Sequence, residues 1–298
     1  MLHAQRARFA YYLILPALLL ITCLNLVPIV EAIVVSLQSQ NMIRPDPEAF
    51  VGVQHYIQAL APDGDFRSSL ALTLIWTAGS VAGGYLLGLG LALLLNLAMR
   101  ARGVFRALLL IPWVIPDVAV AMVWKWLYAD QFGVFNFLLL KFGLVSRPVQ
   151  WLADPWMAMA SVIFVQIWKL YPVMFIVLLA ALQNVAKELH EAAMIDGANA
   201  WQRFVNVTFP VIRPTSLVIT LLASIWTFQA FDIVYLLTGG GPAGATQILP
   251  TLIYQKAFWA SQIGYASALG ILLMVCLLVI SVFYLLAYRH QASAQGAT

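Results

Sequence analysis

Between Ser68 and Met99 the chain carries no charged side chain. A helix crosses the ~30 Å hydrocarbon layer of a bilayer with about 20 predominantly apolar residues, at ~1.5 Å per residue. Each backbone N–H and C=O must find its partner within the chain there, so a run this long is read as a spanning helix. Five further runs qualify. They are Phe9 to Leu37 with Glu31, Val104 to Tyr128 with Asp117 and Lys125, Pro155 to Ala186 with Lys169, Pro214 to Leu237 with Asp232, and the uncharged Ala257 to Tyr288. The predicted fold class is an all-α polytopic membrane protein of six transmembrane helices, over about 9–37, 68–99, 104–128, 155–186, 214–237 and 257–288.

Composition excludes the alternatives. Of 298 residues, 63% are hydrophobic and 9% charged, whereas a soluble domain is nearer half apolar and a quarter charged. There is too little polar surface to cover a globule in water, which rules out a soluble enzyme, a disordered regulator and a nucleic-acid-binding domain. Cys23 and Cys276, both inside apolar runs, read as small apolar fillers rather than a disulfide. The first run follows Arg6 and Arg8 as a secretion signal would. It exceeds the 7–15 residues of a cleaved signal's apolar region and no small-x-small site closes it, so it is read as an uncleaved helix.

The charges between the runs set the orientation. With the first segment inside, the inner segments hold Arg6, Arg8, Arg100, Arg102, Arg106, Lys187, Arg203, Arg213 and Arg289; the outer ones hold Arg44, Arg67, Lys141, Arg147 and Lys256. Nine against five places both termini in the cytoplasm. Residues 1–8 are then a cytoplasmic N-terminus, 9–289 the transmembrane domain and 290–298 a cytoplasmic tail. Gly79 and Gly83, with Gly84 and Gly88, form two Gly-x-x-x-Gly pairs inside the second span and read as helix-packing sites. No phosphate-cradling Gly-x-x-x-x-Gly-Lys-Ser/Thr loop, Gly-x-Ser-x-Gly elbow or His-Glu-x-x-His pair occurs, and His3, His55, His190 and His290 stand at no metal-ligand spacing. The expectation is a chain that is not an enzyme, with no catalytic residue, metal or cofactor of its own.

The segment from Lys187 to Pro210 is the most informative. It reads as two short helices joined at a glycine. Leu189, Ala192, Ala193 and Ile195 give the first helix its apolar positions, and Gly197 can adopt the left-handed conformation that closes it. Asn199 is placed to cap the second, with Gln202 completing a capping box. Trp201, Phe204 and Val205 then offer apolar surface, and Pro210 bars continuation. Helices that lie on lipid are strongly basic. Here Glu188, Glu191 and Asp196 offset Lys187 and Arg203, so the hairpin is read as built to fit into another protein.

Glu191-Ala192-Ala193, then Gly197 between Asp196 and Ala198, and Pro210 beyond, resemble the EAA loop of bacterial ABC importer permeases. From about residue 10 to 289 the chain resembles the carbohydrate branch of that family, the maltose and glycerol-3-phosphate type. Phe50-Val51-Gly52 with Tyr56, Pro112-Trp113 with Pro116, Trp124-Lys125-Trp126, Trp168-Lys169 with Pro172, and Thr238-Gly239-Gly240-Gly241-Pro242 with Thr246 carry the resemblance along the chain. Phe209 departs from the leucine usual before the proline, and Leu72 from a common asparagine. The resemblance implies a type I ABC importer permease fold in the bacterial inner membrane. The cytoplasmic coupling loop, 187–213 between the fourth and fifth helices, would dock into an ATP-binding subunit, with Glu191 as charged anchor and Gly197 permitting the turn and close approach. It further implies a second homologous permease in a heterodimer, two ATP-binding cassette subunits that bind ATP and magnesium, and an extracytoplasmic solute-binding protein, all around a chain embedded in the lipid bilayer.

Ionisable residues inside spans usually face the bundle interior or water. Glu31 and Lys125 lie near span ends, where snorkelling is sufficient explanation. Asp117 follows Pro116 in a Pro-x-x-x-Pro segment whose broken helix could line a cavity. Trp226, Gln229 and Asp232 recur at helical spacing in the fifth span, a mixed aromatic and polar stripe suited to sugar C–H faces and hydroxyls. Asp117, Lys169, Trp226, Gln229 and Asp232 are therefore the candidate substrate path. The plain structural reading, that Trp226 packs in the bundle and Asp232 pairs with Lys125 or Lys169, stands beside it. Only Lys125 and Lys169 could meet an anionic solute in the spans, which favours a neutral sugar. An ion-coupled secondary transporter using Asp117, Asp232, Lys125 and Lys169 as a relay is the second class, though no inverted repeat is evident. An intramembrane enzyme, the third, lacks a nucleophile–base pair.

Overall fold

The structure, a computed structural model, describes residues 14–41, 49–97 and 100–295. The segment 1–8, Arg6, Arg8, Arg44 and the Arg289 side chain, all used for orientation, lie outside the described residues. The helices run in the order α1 (Ile14–Ser36), α2 (Gln54–Leu60), α3 (Asp65–Asn96), α4 (Arg102–Val114), α5 (Asp117–Leu127), α6 (Val134–Lys141) and α7 (Pro155–Gln183). They continue as α8 (Lys187–Ile195), α9 (Ala200–Phe228), α10 (Asp232–Thr238), α11 (Leu249–Tyr254, prolonged by a π-turn at Gln255–Trp259) and α12 (Ile263–Gln295). Of these, α1, α3, α7, α9 and α12 are each long and apolar enough to cross a membrane.

The expected third span, 104–128, is not one helix. It is α4 and α5, bent by 94° at a short break. Ile115 and Pro116 take extended conformations there (ψ 131° and 141°). A residue before proline is pushed out of the helical region, and the proline has no N–H for the preceding turn. The expected fifth span, 214–237, is also corrected. Its helix begins at Ala200 and ends at Phe228, and Asp232–Thr238 is a separate helix. Pro210 does not bar continuation. A π-turn at Phe204–Thr208, closed by the Phe209 N–H on the Phe204 carbonyl, widens the helix two residues before the proline and relieves its ring. The same arrangement recurs in α1, where a π-turn at Thr22–Leu26 precedes Pro28. The sixth span starts at Ile263 rather than 257, because Gln255–Trp259 continues α11 and Ser261 (φ +58°) reverses the chain.

Two compact units are present. The first comprises residues up to Arg67 with Leu252–Val275. Here the Ser36 hydroxyl meets the Tyr56 hydroxyl at 2.6 Å, and the Lys256 ammonium meets Asp65 at 2.5 Å. Gly264 passes so close to the Gln38 carbonyl that a Cβ would lie 2.1 Å from it, and its own N–H donates to the Gln40 carbonyl. The second unit comprises Ser68–Thr251 and the chain from Cys276. Its core is α3 on α7. A Cβ on Gly79 or Gly83 would meet Ile163 or Ile167, one on Gly84 would meet Leu170, and one on Gly88 would lie 2.9 Å from the Phe175 backbone nitrogen. Flexible side-chain ends can yield at the first three; backbone cannot at the last. Gly88→Ala is expected to destabilise the protein by about 1–3 kcal/mol, whereas Gly90→Ala, in a helix interior with nothing within 4 Å, stabilises it by about 0.5–1 kcal/mol. Thermal unfolding of the two purified variants checks this.

Candidate functional site

Two sites take shape at different levels of α7 and the segment that follows it. The first is the hairpin of α8 and the start of α9. Gly197 (φ +77°) donates to the Met194 carbonyl at 3.1 Å and Ala198 to the Ala193 carbonyl at 2.9 Å, the paired bonds of a Schellman C-cap. Asn199 accepts from the Gln202 N–H at 2.9 Å, and Gln202 accepts from the Asn199 N–H at 2.8 Å, closing the expected capping box. Arg203 then donates to the Ala198 carbonyl at 2.8 Å. These bonds fix the angle between the two helices from both sides of the turn. Nothing lies within 4 Å of a Cβ at Gly197, so within this chain the glycine serves the turn and not a close approach.

What the hairpin displays is apolar. Ile195 is 87% exposed and Trp201 70%, with Leu189 and Met194 about half exposed. Glu191, Ala192 and Asp196 are exposed beside them, while Ala193 and Ala198 are half-buried against the turn. Pro210 stands on α9 beyond the widened turn. Glu191 makes no ion pair among the described residues.

The second site is a cavity of about 170 Å³ where α4, α5, α7, α9 and α10 meet. Asp117, Lys169, Trp226 and Asp232 all line it. Gln229 does not: α9 stops one residue earlier, so the stripe expected at helical spacing is broken and Gln229 stays exposed at the helix end. The stop is fixed from α3, whose buried Trp76 indole N–H takes the Thr227 carbonyl at 3.0 Å. Lys169 is pinned. Its ammonium sits 3.1 Å from the Asp117 carboxylate and donates to the Trp113 carbonyl at 3.1 Å and to the Ile115 carbonyl. It thus caps the C-terminal end of α4 and the acid at the start of α5 together, joining the two halves of the broken span. Lys125 donates to the Leu236 carbonyl at 3.1 Å in the last turn of α10. Asp232 begins the same helix, where a carboxylate favours the N-terminal end of the dipole. Neither lysine pairs with Asp232 among the described residues.

Among the lining residues outside the candidate path, Trp113, Phe231 and Gln166 carry aromatic or polar groups that the sequence did not single out. Gln166 is the most telling. It is 7% exposed and its Oε1 accepts no hydrogen bond. The only signal in the sequence was an amide one turn before Lys169 in an otherwise apolar helix. Among the described residues no cluster of His, Cys, Asp or Glu could hold a metal ion.

Residues 84–293 match the family described as binding-protein-dependent transport system inner membrane component. The chain is 35% identical over 287 residues to the trehalose/maltose transport system permease protein MalF of Thermococcus litoralis, covering 96% of each. It is 32% identical over 280 residues to the sulfoquinovosyl glycerol transport system permease protein SmoG of Agrobacterium fabrum, covering 94% of this chain and 90% of that protein. In structure it is similar to a chain of a bacterial ABC transporter involved in the import of the acidic polysaccharide alginate. The TM-score is 0.81 at 25% identity, with 96% of each chain covered.

Proposed function

Because the chain belongs to the binding-protein-dependent transport system inner membrane component family, we propose that it is the permease subunit of an ATP-driven sugar importer working by alternating access. The observation that carries this reading is the capped hairpin with its exposed Ile195, Trp201 and unpaired Glu191. An exposed apolar face flanked by acidic side chains, with the turn held by a Schellman C-cap and a capping box, suits docking into a groove of an ATP-hydrolysing subunit. Glu191, Ala192, Ala193, Asp196, Gly197, Ala198 and Pro210 form that coupling element, on the cytoplasmic side with both termini. Two such ATPase subunits, a second permease and an external solute-binding protein complete the assembly. Uptake that follows ATP and not the ion gradient, together with co-purification of a Walker-motif subunit, tests it; solute movement by the chain alone overturns it.

The solute path runs through the α7 cavity. At about 170 Å³ the cavity falls below the ~300–1,000 Å³ of a complete small-molecule site, as expected of a path that a second permease closes. Trp113 and Trp226 offer flat faces to a sugar ring, and Gln166 Oε1 needs a donor that a hydroxyl supplies. Lys169 already serves three acceptors, which leaves no uncommitted cation lining the cavity for an anionic solute. The solute is therefore a neutral di- or oligosaccharide or related glycoside, the class named for the trehalose/maltose relative. Gln166→Leu is expected to raise the half-saturating solute concentration for uptake about tenfold, the loss of one buried hydrogen bond. Vesicle uptake measured against concentration reads this directly.

A further inference from the structure

Two adjoining cavities on the flank of α7 have no part in the solute path. The first, about 620 Å³, lies in the loop before α7 and is lined by Ser146, Arg147, Gln150, Asp154 and Met157 among others. The second, about 340 Å³, is almost wholly apolar and is lined by Tyr128, Phe135, Trp151, Ala160 and Phe164, again with Met157. Met157 borders both, so a chamber of mixed lining that carries Arg147 and Asp154 opens beside an apolar groove. On α7, Met157, Ala160 and Phe164 follow one another at helical spacing on one face. Gln166, Lys169, Leu170 and Val173, which line the solute cavity, fall on the opposite face at 100° per residue. The groove therefore opens away from the solute path, towards the surroundings of a membrane-spanning helix, at the end of α7 remote from the α8 hairpin.

We propose that the paired cavities hold one zwitterionic phospholipid with a primary ammonium headgroup. Arg147 is exposed and makes no ion pair among the described residues, which leaves its guanidinium for the phosphate. Asp154 spends Oδ1 on the Trp156 and Met157 N–H groups, at 3.1 and 2.9 Å, and its second oxygen is left for the ammonium. One cation and one anion in the same chamber match a headgroup carrying both signs and disfavour one that is purely anionic. One of its two acyl chains takes the groove. Its floor is preorganised: Trp151 lies 5.6 Å from Tyr128 and 6.0 Å from Phe135 between ring centroids. The buried Asn136 amide ties the Trp151 indole (3.2 Å) and the Val149 backbone (2.9 Å both ways) into one frame.

Native mass spectrometry of the complete purified transporter, titrated with phosphatidylethanolamine and phosphatidylglycerol of identical chains, tests the assignment. Phosphatidylethanolamine is retained at about tenfold lower concentration, the effect of one charge-assisted contact. Arg147→Gln weakens retention of both lipids alike, because the phosphate is common to them, and Ala160→Trp, which fills the groove from an exposed position, removes retention of both. Neither change touches the solute cavity, so uptake at saturating solute is unchanged. Equal retention of the two lipids by the wild type, or unaltered retention in both variants, overturns the proposal. So does loss of solute-binding-protein affinity in Arg147→Gln with lipid retention intact, which would assign the chamber to that partner.

Discussion

Glu191→Ala lowers solute uptake by the assembled transporter at least ~30-fold while the chain stays in the membrane at wild-type abundance. Removing one partner of a charged contact buried at an interface typically costs about 2–5 kcal/mol, and each ~1.4 kcal/mol is tenfold. Among the described residues nothing forms an ion pair with Glu191, so the loss falls on the docked state and not on the fold. Gly197→Val produces a similar loss by another route. At φ +77° a β-branched residue is strained by roughly 1–2 kcal/mol, and the turn relaxes by giving up the Ala198 to Ala193 bond that aims the two helices. Gly197→Asn, which tolerates the left-handed conformation, keeps most of the activity. Uptake into vesicles, alongside ATPase activity of the same preparation, measures all three. Wild-type transport in Glu191→Ala and Gly197→Val together would end the docking assignment.

Lys169→Met destabilises the transmembrane unit by about 3 kcal/mol, the second large effect. The substitution keeps the apolar stem and removes the ammonium that serves Asp117, Trp113 and Ile115. Two carbonyls at the end of α4 then lose their donor, one at an exposed and one at a part-buried bond, each at about 1 kcal/mol. The Asp117 share is smaller, because its side chain is 45% exposed and the ion pair is screened. A double-mutant cycle with Asp117→Asn therefore yields a coupling of only about 1 kcal/mol, with the remainder belonging to the carbonyls. Thermal unfolding of the four purified variants gives the cycle. A full 3 kcal/mol of coupling to Asp117 would show that the ion pair, and not capping of the broken span, is what Lys169 provides.

The hairpin was legible in the sequence because its instructions are local. A left-handed position at Gly197 and a reciprocal cap between Asn199 and Gln202 need only residues within one turn of each other, and the structure closes both. The Gly-x-x-x-Gly pairs were likewise readable as packing sites, and α7 is what they pack on. The solute cavity was legible only in part. Trp226 and Asp232 share it, yet not through the single stripe that their spacing suggested, since α9 ends between them. Gln166 could not be ranked above any other amide until its surroundings were known to offer it no donor.

By itself the sequence determined that this chain lives in lipid and where one capped hairpin interrupts it. Hydrophobic run length and capping chemistry are properties of contiguous residues, and the bilayer leaves the backbone no choice but helix. Tertiary structure alone decided that the helix runs on through Pro210, and that Lys169 holds the two halves of the break at Pro116. Those outcomes depend on which groups distant in sequence arrive to satisfy a freed carbonyl or leave an amide unpaired, and hydropathy carries no record of such meetings.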